Sequence, residues 1–378
     1  MEKTAKIFSS ALCGVITLAA AVIGGFYAAL PAGICVDSSE TLASGSLGGA
    51  ELRTMGGECG FYVGAIPIKT ADVTQKERPQ LIPCGTPFGI KLRSEGVMVV
   101  AVTENSPAAK CGIKKGDIIT EINGKEVRCN SDVTAALSEK TDILLSRADS
   151  EMVISCCPES DPDSGCLKIG AWVRDSAAGI GTMTFCDPKT GCFGGLGHPV
   201  SDVTTGDPVP LASGEITEAD IYDVIRGEQG CAGELCGALY SDSTTGELSA
   251  NTSVGVFGKL SEIPSGEAIP VAFKQEVKTG SAYILSTISG TSPRAYSIEI
   301  ERINLFGMNG SKGMVIRITD PELLNEAGGI VRGMSGSPII QDGKLVGAVT
   351  HVLVNDPERG YAVFAETMLE QMEAEGIS

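Results

Sequence analysis

The sequence predicts a mostly β protein with an apolar N-terminal segment, a small β domain and a larger β-barrel domain. Three observations support this fold class. The chain of 378 residues is 43% hydrophobic, which is enough for two folded domains with their own cores. It contains 48 glycines and 18 prolines but only 5% aromatic residues, which favours many short elements joined by turns. From residue 85 onwards, brief apolar runs end at Gly, Asn or Asp, a pattern typical of antiparallel strands.

The charge and the cysteine pattern argue against several classes of function. The formal net charge is −18 and no run of basic residues is present, so we expect no nucleic-acid partner. The 13 cysteines form no CxxC pair and the chain has only two histidines, so we predict neither a metal site nor a cofactor. The odd number of cysteines also argues against a complete disulfide framework. A cysteine-based redox or metal protein is therefore the remote hypothesis.

Residues 1–36 are predicted to form a membrane anchor. No charged residue lies between Ile7 and Val36, and about 20 apolar residues suffice to cross a bilayer. Lys3 and Lys6 precede this stretch, so the positive-inside rule keeps the N-terminus in the cytoplasm and sends the rest across. A cleaved signal peptide is the alternative, although its apolar core is typically only about 7 to 15 residues long. Either way, we expect the working part of the chain outside the cytoplasm.

The remaining chain is predicted to divide into three parts. Residues 37–69 comprise a Ser- and Gly-rich tether, expected to hold no core, and a leading strand. Residues 70–155 form the small β domain, whose one helix lies in SDVTAALSE with Ser131 or Asp132 as its cap. After a boundary rich in proline and acidic residues, residues 168–378 are predicted to form a closed or doubled β-barrel. Two short helices are expected there, at PELLNEAG and AETMLEQMEAE.

The small domain resembles a PDZ domain. The resemblance rests on PFGIKL at 87–92 and ENSPAAKCGIKKGDIITEINGKEV at 104–127. In that family a Gly-rich loop directs backbone N–H groups at a peptide carboxylate, and the peptide adds as an extra strand. The resemblance implies that Phe88, Gly89 and Ile90 form the peptide-binding loop. A well-formed turn and helix cap without a binding role is the alternative.

The stretch GMSGSP at 333–338 predicts an exposed nucleophile. A glycine two positions before the serine allows the N–H groups of Gly333 and Ser335 to point into one cavity, which forms an oxyanion hole. Gly336 leaves room for a substrate. The alternative is a Gly-rich turn whose serine only caps backbone groups.

A nucleophilic serine needs a base, and only two histidines are present. His198 lies in the glycine-dense stretch FGGLGHPVSD and can approach Ser335 from another part of the fold. His351 alternates with apolar residues on a predicted strand, so we interpret it as a core or cleft-lining residue. The order of His198 before Ser335 is that of chymotrypsin-like proteases, which favours a chymotrypsin-like double β-barrel.

Several stretches together resemble the stage IV sporulation protein B family of serine peptidases. Beside the PDZ-like segment, they are KIGAWVRDSAAGIGTMTF, GLGHPVSD, LASGEI and ITDPELLNEAGGIVRGMSGSPIIQDGKLVGAVTHVLVNDP. The resemblance implies a membrane-associated serine endopeptidase of sporulation signalling, exported from the forespore into the space between the two forespore membranes. It implies cleavage of a membrane-bound regulator, which releases an intramembrane metalloprotease that activates a late mother-cell sigma factor. It also implies self-processing of the N-terminal region under control of the PDZ domain.

Carried over to this chain, the resemblance assigns Ser335 as the nucleophile, His198 as the base and Asp320 as the acid. Asp320 stands directly before a proline, which also fits the N-cap of a helix, so a structural cap is an open alternative. Other acids are candidates for orienting the imidazole: Asp175, Asp202 and Asp207. The rival to the peptidase hypothesis is a membrane-anchored PDZ scaffold with an inactive, protease-like barrel.

Overall fold

The computed structural model describes residues 24, 27, 30, 33–37, 45–47, 50–55, 58–148, 150–162, 165–304 and 310–377. The anchor predicted at 1–36 lies mostly outside these residues. In the part of the chain that is described, no helix combines the length and the apolar character needed to cross a bilayer.

Strands dominate the described chain, as predicted. They are β1 (Gly33–Asp37), β2 (Gly45–Leu47), β3 (Ala50–Met55), β4 (Glu58–Val63), β5 (Ile66–Thr70), β6 (Asp72–Lys76), β7 (Gln80–Pro83), β8 (Pro87–Val102), β9 (Ile118–Ile122), β10 (Lys125–Glu126), β11 (Thr141–Arg147), β12 (Ser150–Cys156), β13 (Glu159–Ser160), β14 (Leu167–Lys168), β15 (Ala171–Cys186), β16 (Cys192–Gly195), β17 (Leu211–Ile225), β18 (Glu234–Thr252), β19 (Gly255–Leu260), β20 (Ile269–Pro270), β21 (Gly280–Ser286), β22 (Arg294–Ile303), β23 (Met314–Ile318), β24 (Pro338–Gln341), β25 (Lys344–Leu353) and β26 (Asp356–Phe364). The helices are α1 (Pro107–Cys111), α2 (Asn130–Ala136), α3 (Pro321–Ala327) and α4 (Ala365–Ala374), with single 3₁₀ turns at Lys274–Glu276 and Gly310–Lys312.

Two six-stranded antiparallel barrels form the larger part of the molecule, which confirms the predicted double β-barrel. The first runs β8-β15-β16-β19-β18-β17 and closes because β17 pairs with β8. The second runs β21-β22-β23-β26-β25-β24 and closes because β24 pairs with β21. If the strands of each barrel are numbered 1 to 6 along the chain, their order around the barrel is 1-2-3-6-5-4 in both cases. The two barrels therefore repeat one topology, although the sequence shows no internal repeat.

The barrel cores follow from alternation along the strands. In β22, Tyr296, Ile298 and Ile300 are buried, whereas the residues between them are more exposed. Successive side chains of a strand point to opposite faces, so the apolar set faces the inside of the second barrel. Phe88 and Phe193 occupy the interior of the first barrel in an edge-to-face contact, with ring centroids 6.0 Å apart.

The small β unit is inserted between the first two strands of the first barrel. Its sheet consists of the second half of β8 with β9, β11 and β12, and α1 and α2 complete it. Both β8 and β15 have 16 residues, and they pair along most of their length. They leave the barrel together as a two-stranded ribbon, so the small unit and the barrel share two continuous strands.

This topology differs from the predicted boundaries at both ends of the small domain. Residues 87–94, predicted within it, belong to the first barrel, where β8 pairs with β15 on one edge and β17 on the other. Conversely, Ala171–Arg174, predicted within the peptidase domain, pair with the part of β8 that belongs to the small unit. The difference arises because β8 is one continuous strand that belongs to both units. No hairpin or turn separates its barrel part from its part in the small unit, so the sequence does not mark the boundary there.

Local predictions had mixed outcomes. The helices expected at PELLNEAG and AETMLEQMEAE are confirmed as α3 and α4. Helix α2 begins at Asn130, ahead of the predicted cap, and the Asp132 carboxylate instead accepts the N–H groups of Arg128 and Cys129. Phe61, in the stretch predicted as a leading strand, lies on β4 and is buried in a small cluster.

Candidate active site

Ser335 lies on a tight turn between α3 and β24, and two glycines determine its shape. Gly333 and Gly336 both have a φ of +97°, in the region that favours glycine. A Cβ on Gly336 would lie 1.9 Å from the carbonyl oxygen of Thr182, so no other residue fits without displacing the backbone. The Gly336 N–H donates to Val349 O at 2.7 Å, which attaches the turn to β25.

A strand of the first barrel holds this turn of the second barrel in place. The Thr182 N–H on β15 donates to Ser335 O at 3.0 Å, and the Thr182 hydroxyl donates to Gly333 O at 2.8 Å. Two residues on, the Thr184 hydroxyl donates to Gly336 O at 2.7 Å. Both threonines are buried, so these bonds are protected from competing water. The turn of Ser335 is therefore positioned by contacts between the two barrels.

His198 lies on the loop that follows β16, and close packing brings this loop to the serine. Leu196 and Gly197 have positive φ values of 64° and 71°. A Cβ on Gly197 would lie 2.7 Å from the Thr350 side chain, so the loop backbone packs directly against β25. The Asn251 side chain fixes the other end of the loop, because it accepts the Val200 N–H at 2.8 Å and donates to Val200 O at 2.9 Å.

The hydrogen bonding of His198 selects the tautomer that a general base needs. Nδ1 lies 2.8 Å from the carbonyl oxygen of Pro199. A carbonyl can only accept, so Nδ1 carries the proton and Nε2 keeps its lone pair. Burial lowers the pKa of His198, partly offset by the hydrogen bond to Pro199. The imidazole is therefore neutral at neutral pH and able to accept a proton through Nε2.

His351 lies beside His198 rather than in a core. The ring centroids are 5.0 Å apart, and His351 is exposed on β25. Desolvation, the neighbouring His198 and the charge of Lys312 lower the pKa of His351 to about 4. It is thus an exposed, neutral neighbour of His198, and of the two predicted positions, core or cleft, the structure excludes the core.

The Ser335 hydroxyl is in a resting orientation. It donates to Thr350 O at 2.8 Å, and no hydrogen bond joins it to either imidazole among the described residues. Attack on a substrate requires the hydroxyl to leave this carbonyl and donate to Nε2 of His198, and catalytic hydrogen bonds often form only when a substrate binds. In the described hydrogen bonds, the N–H groups of Gly333 and Ser335 have no acceptor. They are available to bind an oxyanion, as the sequence predicts.

Asp320 is engaged at a helix terminus. Its carboxylate accepts the N–H groups of Glu322 and Leu323 at 3.0 and 3.2 Å and caps α3, and its second oxygen accepts the Ser297 N–H at 3.2 Å. The described contacts therefore give Asp320 the capping role, and none of them joins it to His198.

No other predicted acid reaches the imidazole in the described contacts. Asp202 is buried, pairs with Arg174 and accepts the N–H groups of its own turn. Asp175 accepts the Asn130 N–H at 3.1 Å, and Asp207 adjoins Gly116 in the small unit. The orientation of His198 therefore depends on a backbone carbonyl, which no sequence motif marks.

The predicted peptide-binding loop is contradicted by the fold. Phe88, Gly89 and Ile90 are buried in β8, and each pairs with β15 on one edge and β17 on the other. A Cβ on Gly89 would lie 2.5 Å from the Thr217 hydroxyl. No strand edge is free there to accept a peptide, so these residues close the first barrel instead of binding a ligand.

Comparisons with known proteins agree with this architecture. The profile of the SpoIVB peptidase S55 family matches residues 165–369, and that of a PDZ domain matches residues 98–145. The mitochondrial serine protease HTRA2 of Drosophila virilis is 42% identical over 72 residues, which cover 18% of this chain and 17% of that protein. The regulator of sigma-W protease RasP of Bacillus subtilis (strain 168) is 34% identical over 77 residues, covering 19% and 18% respectively. The chain spans about a fifth of the length of the curated relatives it matches.

Solved structures show more distant similarity. The active form of the Rv3671c protease from M. tuberculosis is 16% identical, with a TM-score of 0.33, and the match covers 53% of this chain and 76% of that one. The PDZ domain of the SdrC-like protein from Listeria monocytogenes is 24% identical, with a TM-score of 0.19, covering 21% and 87%. These scores are too low to define the fold, which the strand order establishes by itself. The S55 profile, by contrast, spans more than half of the residues, including the loop of His198 and the turn of Ser335. The chain therefore belongs to the SpoIVB peptidase S55 family and contains a PDZ domain.

Proposed function

We propose that this peptidase cleaves peptide bonds with Ser335 as the nucleophile and His198 as the base. The observation that carries the proposal is the position of the two loops. Each follows the third strand of its own barrel, and packing against β25 and β15 brings them together. Two equivalent loops of two equivalent barrels thus supply the two reacting groups.

The catalytic cycle follows from these positions. When a substrate displaces the Ser335 hydroxyl from Thr350 O, Nε2 of His198 accepts its proton and Oγ attacks the scissile carbonyl carbon. The negative charge that develops on the carbonyl oxygen is stabilised by the N–H groups of Gly333 and Ser335. His198 then donates the proton to the leaving amine, which departs and leaves an acyl ester on Ser335. Water, deprotonated by His198, hydrolyses the ester and restores the enzyme.

We further propose that the substrate is a membrane-bound regulator in sporulation signalling. Membership of the SpoIVB family supports this role. In this proposal the catalytic part acts in the space between the forespore membranes, and cleavage leads to activation of a late mother-cell sigma factor. The N-terminal region of the chain is a second substrate, cut during self-processing.

Two variants test the chemistry. Replacing the nucleophile, Ser335→Ala, should reduce kcat on the order of a millionfold, and His198→Ala should match it. The matched controls are Ser337→Ala in the same turn, whose hydroxyl bonds to Ser286, and His351→Ala beside His198. Both should keep measurable hydrolysis of a quenched peptide. If the His351 variant were inactive and the His198 variant active, the base would be His351.

A complementation assay tests the biological role. In an endospore-forming host that lacks its own peptidase of this family, the wild-type chain should restore late mother-cell gene expression and Ser335→Ala should not. A fluorophosphonate, which labels activated serines, distinguishes the peptidase from the rival hypothesis of a scaffold with an inactive barrel. The wild-type peptidase should be labelled, whereas an inactive barrel should not. Complementation by the unlabelled Ser335→Ala protein would favour the scaffold.

A further inference from the structure

The two histidines of the chain lie side by side, and the proposed mechanism uses only one of them. His198 and His351 are 153 positions apart, so no ligand spacing marks them and the sequence alone predicts no metal site. In the fold their ring centroids are 5.0 Å apart and the ring planes are tilted by 40°, which excludes parallel stacking. His351 is therefore an imidazole beside the candidate active site with no role in the proposed chemistry.

The distance between the two rings is the distance that a shared metal ion imposes. Zn²⁺ binds imidazole nitrogens at about 2.0–2.1 Å and prefers a tetrahedral arrangement of its ligands. With about 1.2 Å more from each nitrogen to its ring centre, two imidazoles on one tetrahedral ion have centroids about 5 Å apart. The observed separation of 5.0 Å thus matches two imidazoles that share one ion.

His198 already makes the hydrogen bond that a metal-binding histidine needs. Its Nδ1 donates to Pro199 O at 2.8 Å, which leaves the lone pair on Nε2. Histidine ligands of metal ions almost always donate their other ring N–H to a carbonyl or a carboxylate, which fixes the ring and its tautomer. The bond that prepares Nε2 as a base therefore also prepares it as a metal ligand.

Close packing holds the backbone that carries the two rings. A Cβ on Gly197 would lie 2.7 Å from the Thr350 side chain, so the residues that precede the two histidines pack directly against each other. Thr350 O also accepts the Ser335 hydroxyl at 2.8 Å, which places the serine at the same point of β25. His351 is exposed, and no hydrogen bond of the described chain uses its ring nitrogens. Its lone pair is therefore available to a metal ion.

We propose that His198 and His351 together bind one Zn²⁺ ion, which inhibits the peptidase by occupying the lone pair of its base. Among the described residues, no group of three or more His, Cys, Asp or Glu side chains could hold a metal ion. The protein thus supplies two ligands and water completes the tetrahedron, so binding is reversible and weaker than at a closed structural site. The positive charge of Lys312 acts on His351 and opposes binding. The inhibitory part of the proposal rests on the proposed peptidase function, and the binding part does not.

The binding test uses the imidazole NMR signals of the full chain without a histidine tag, because two histidines give only two sets of signals. One equivalent of Zn²⁺ should shift both sets with a single midpoint, whereas Mg²⁺, which prefers oxygen ligands, should shift neither. His198→Ala and His351→Ala should each weaken binding at the remaining histidine about tenfold or more, since even the loss of a group that only orients a ligand has an effect of that size. A shift of one set alone, or of neither, would overturn the shared site.

The inhibition test measures hydrolysis of a short quenched peptide. Zn²⁺ should inhibit the wild-type protein, and His351→Ala should need at least about tenfold more Zn²⁺ for the same inhibition. Thiols also bind zinc, so the matched control replaces the three exposed cysteines by serine and should be inhibited like the wild type: Cys157, Cys166 and Cys231. Equal inhibition of the wild-type and His351→Ala proteins, or relief of inhibition in the cysteine variant, would overturn inhibition through the histidines. Absence of all hydrolysis in wild-type protein would disprove the peptidase mechanism and leave the NMR result standing.

Discussion

The proton on Nδ1 of His198 determines what this imidazole can do. Its acceptor is the carbonyl of the next residue, a group that neither titrates nor moves independently of the loop. Buried serine hydrolase histidines commonly rely on a carboxylate for the same orientation. Here a backbone oxygen fixes the tautomer, so in the proposed mechanism the imidazolium is stabilised by a dipole and not by a full negative charge.

The pH dependence of activity follows from the lowered pKa of His198. Catalysis needs the neutral imidazole, so kcat/KM should fall only as the pH drops through a value below the ordinary histidine pKa of about 6.5. The same shift opposes folding in acid, because the unfolded chain binds a proton near pH 6.5 that the folded chain binds only at lower pH. A pH profile of kcat/KM measures the shift. His351→Asn should keep the acidic limb in place, and a limb above pH 7 would contradict the assignment.

A substitution at Gly89 separates a barrel residue from a peptide-binding residue. Its Cβ would meet the Thr217 hydroxyl and the Leu239 side chain at 2.5 and 2.6 Å, in the interior of a closed sheet. Gly89→Asp should therefore lower the thermal midpoint of unfolding and remove both hydrolysis and peptide binding. A matched change at Gly179 on β15, where a Cβ meets no atom within 4 Å and φ is not positive, should be milder. A stable Gly89→Asp protein that loses only peptide binding would restore the loop predicted from the sequence.

Residues that belong to a local motif could be predicted from the sequence. Residues whose role depends on tertiary packing could not. Gly333, Ser335 and Gly336 are recognisable because the backbone of a nucleophile's turn needs glycine at fixed offsets. Thr182 carries no such signal, since its role depends on a strand of one barrel meeting a turn of the other. Asn251, which fixes the His198 loop, is 53 positions from the histidine and has no motif around it.

At the scale of elements, the start of α3 explains why the sequence leaves two roles open for Asp320, a helix cap and a catalytic acid. An Asp followed by Pro begins a helix for reasons of hydrogen bonding and backbone geometry, whatever chemistry lies nearby. The observed helix begins at Pro321, with the Asp320 carboxylate bonded to its first free N–H groups. The same dipeptide would look identical in a catalytic role, so only the position of the helix in the fold distinguishes the two.

The variant Asp320→Asn distinguishes the cap from the acid, because asparagine caps a helix about as well as aspartate does. We expect near-normal stability and activity. Asp320→Ala should lower the free energy of unfolding by about 0.5–2 kcal/mol, measured by denaturant titration. A loss of kcat on the order of 10⁴-fold in the asparagine variant, with the fold intact, would instead establish Asp320 as the triad acid.

At the scale of the whole molecule, the insertion of the small unit determines which fragments can fold. The sequence suggested consecutive domains, because a boundary rich in proline and acidic residues follows residue 155. Sequence patterns reveal where strands are but not that β8 and β15 pair across the inserted unit, since that pairing joins residues about 80 positions apart. The order of domains was therefore predictable and their interleaving was not.

Two truncated chains test this architecture. A chain of residues 156–378 lacks β8, which leaves the first barrel open between β15 and β17, so it should be unfolded or aggregated. A chain that replaces residues 95–174 with an Asn-Gly turn keeps both barrel strands near the observed pairing of Arg93 with Ser176. It should fold and hydrolyse a short peptide. Circular dichroism and the peptide assay compare the two, and a folded 156–378 fragment would refute the shared-strand topology.

The placement of one reacting group on each barrel has a consequence for the newborn chain. As the polypeptide is synthesised, the loop of His198 is complete long before the turn of Ser335 exists. The turn of Ser335 is hydrogen-bonded to β25, so it acquires its shape only after β25 and β26 have closed the second barrel. A partly made molecule therefore carries the histidine loop without the serine turn. Under the proposed mechanism, hydrolysis starts only after both barrels have folded.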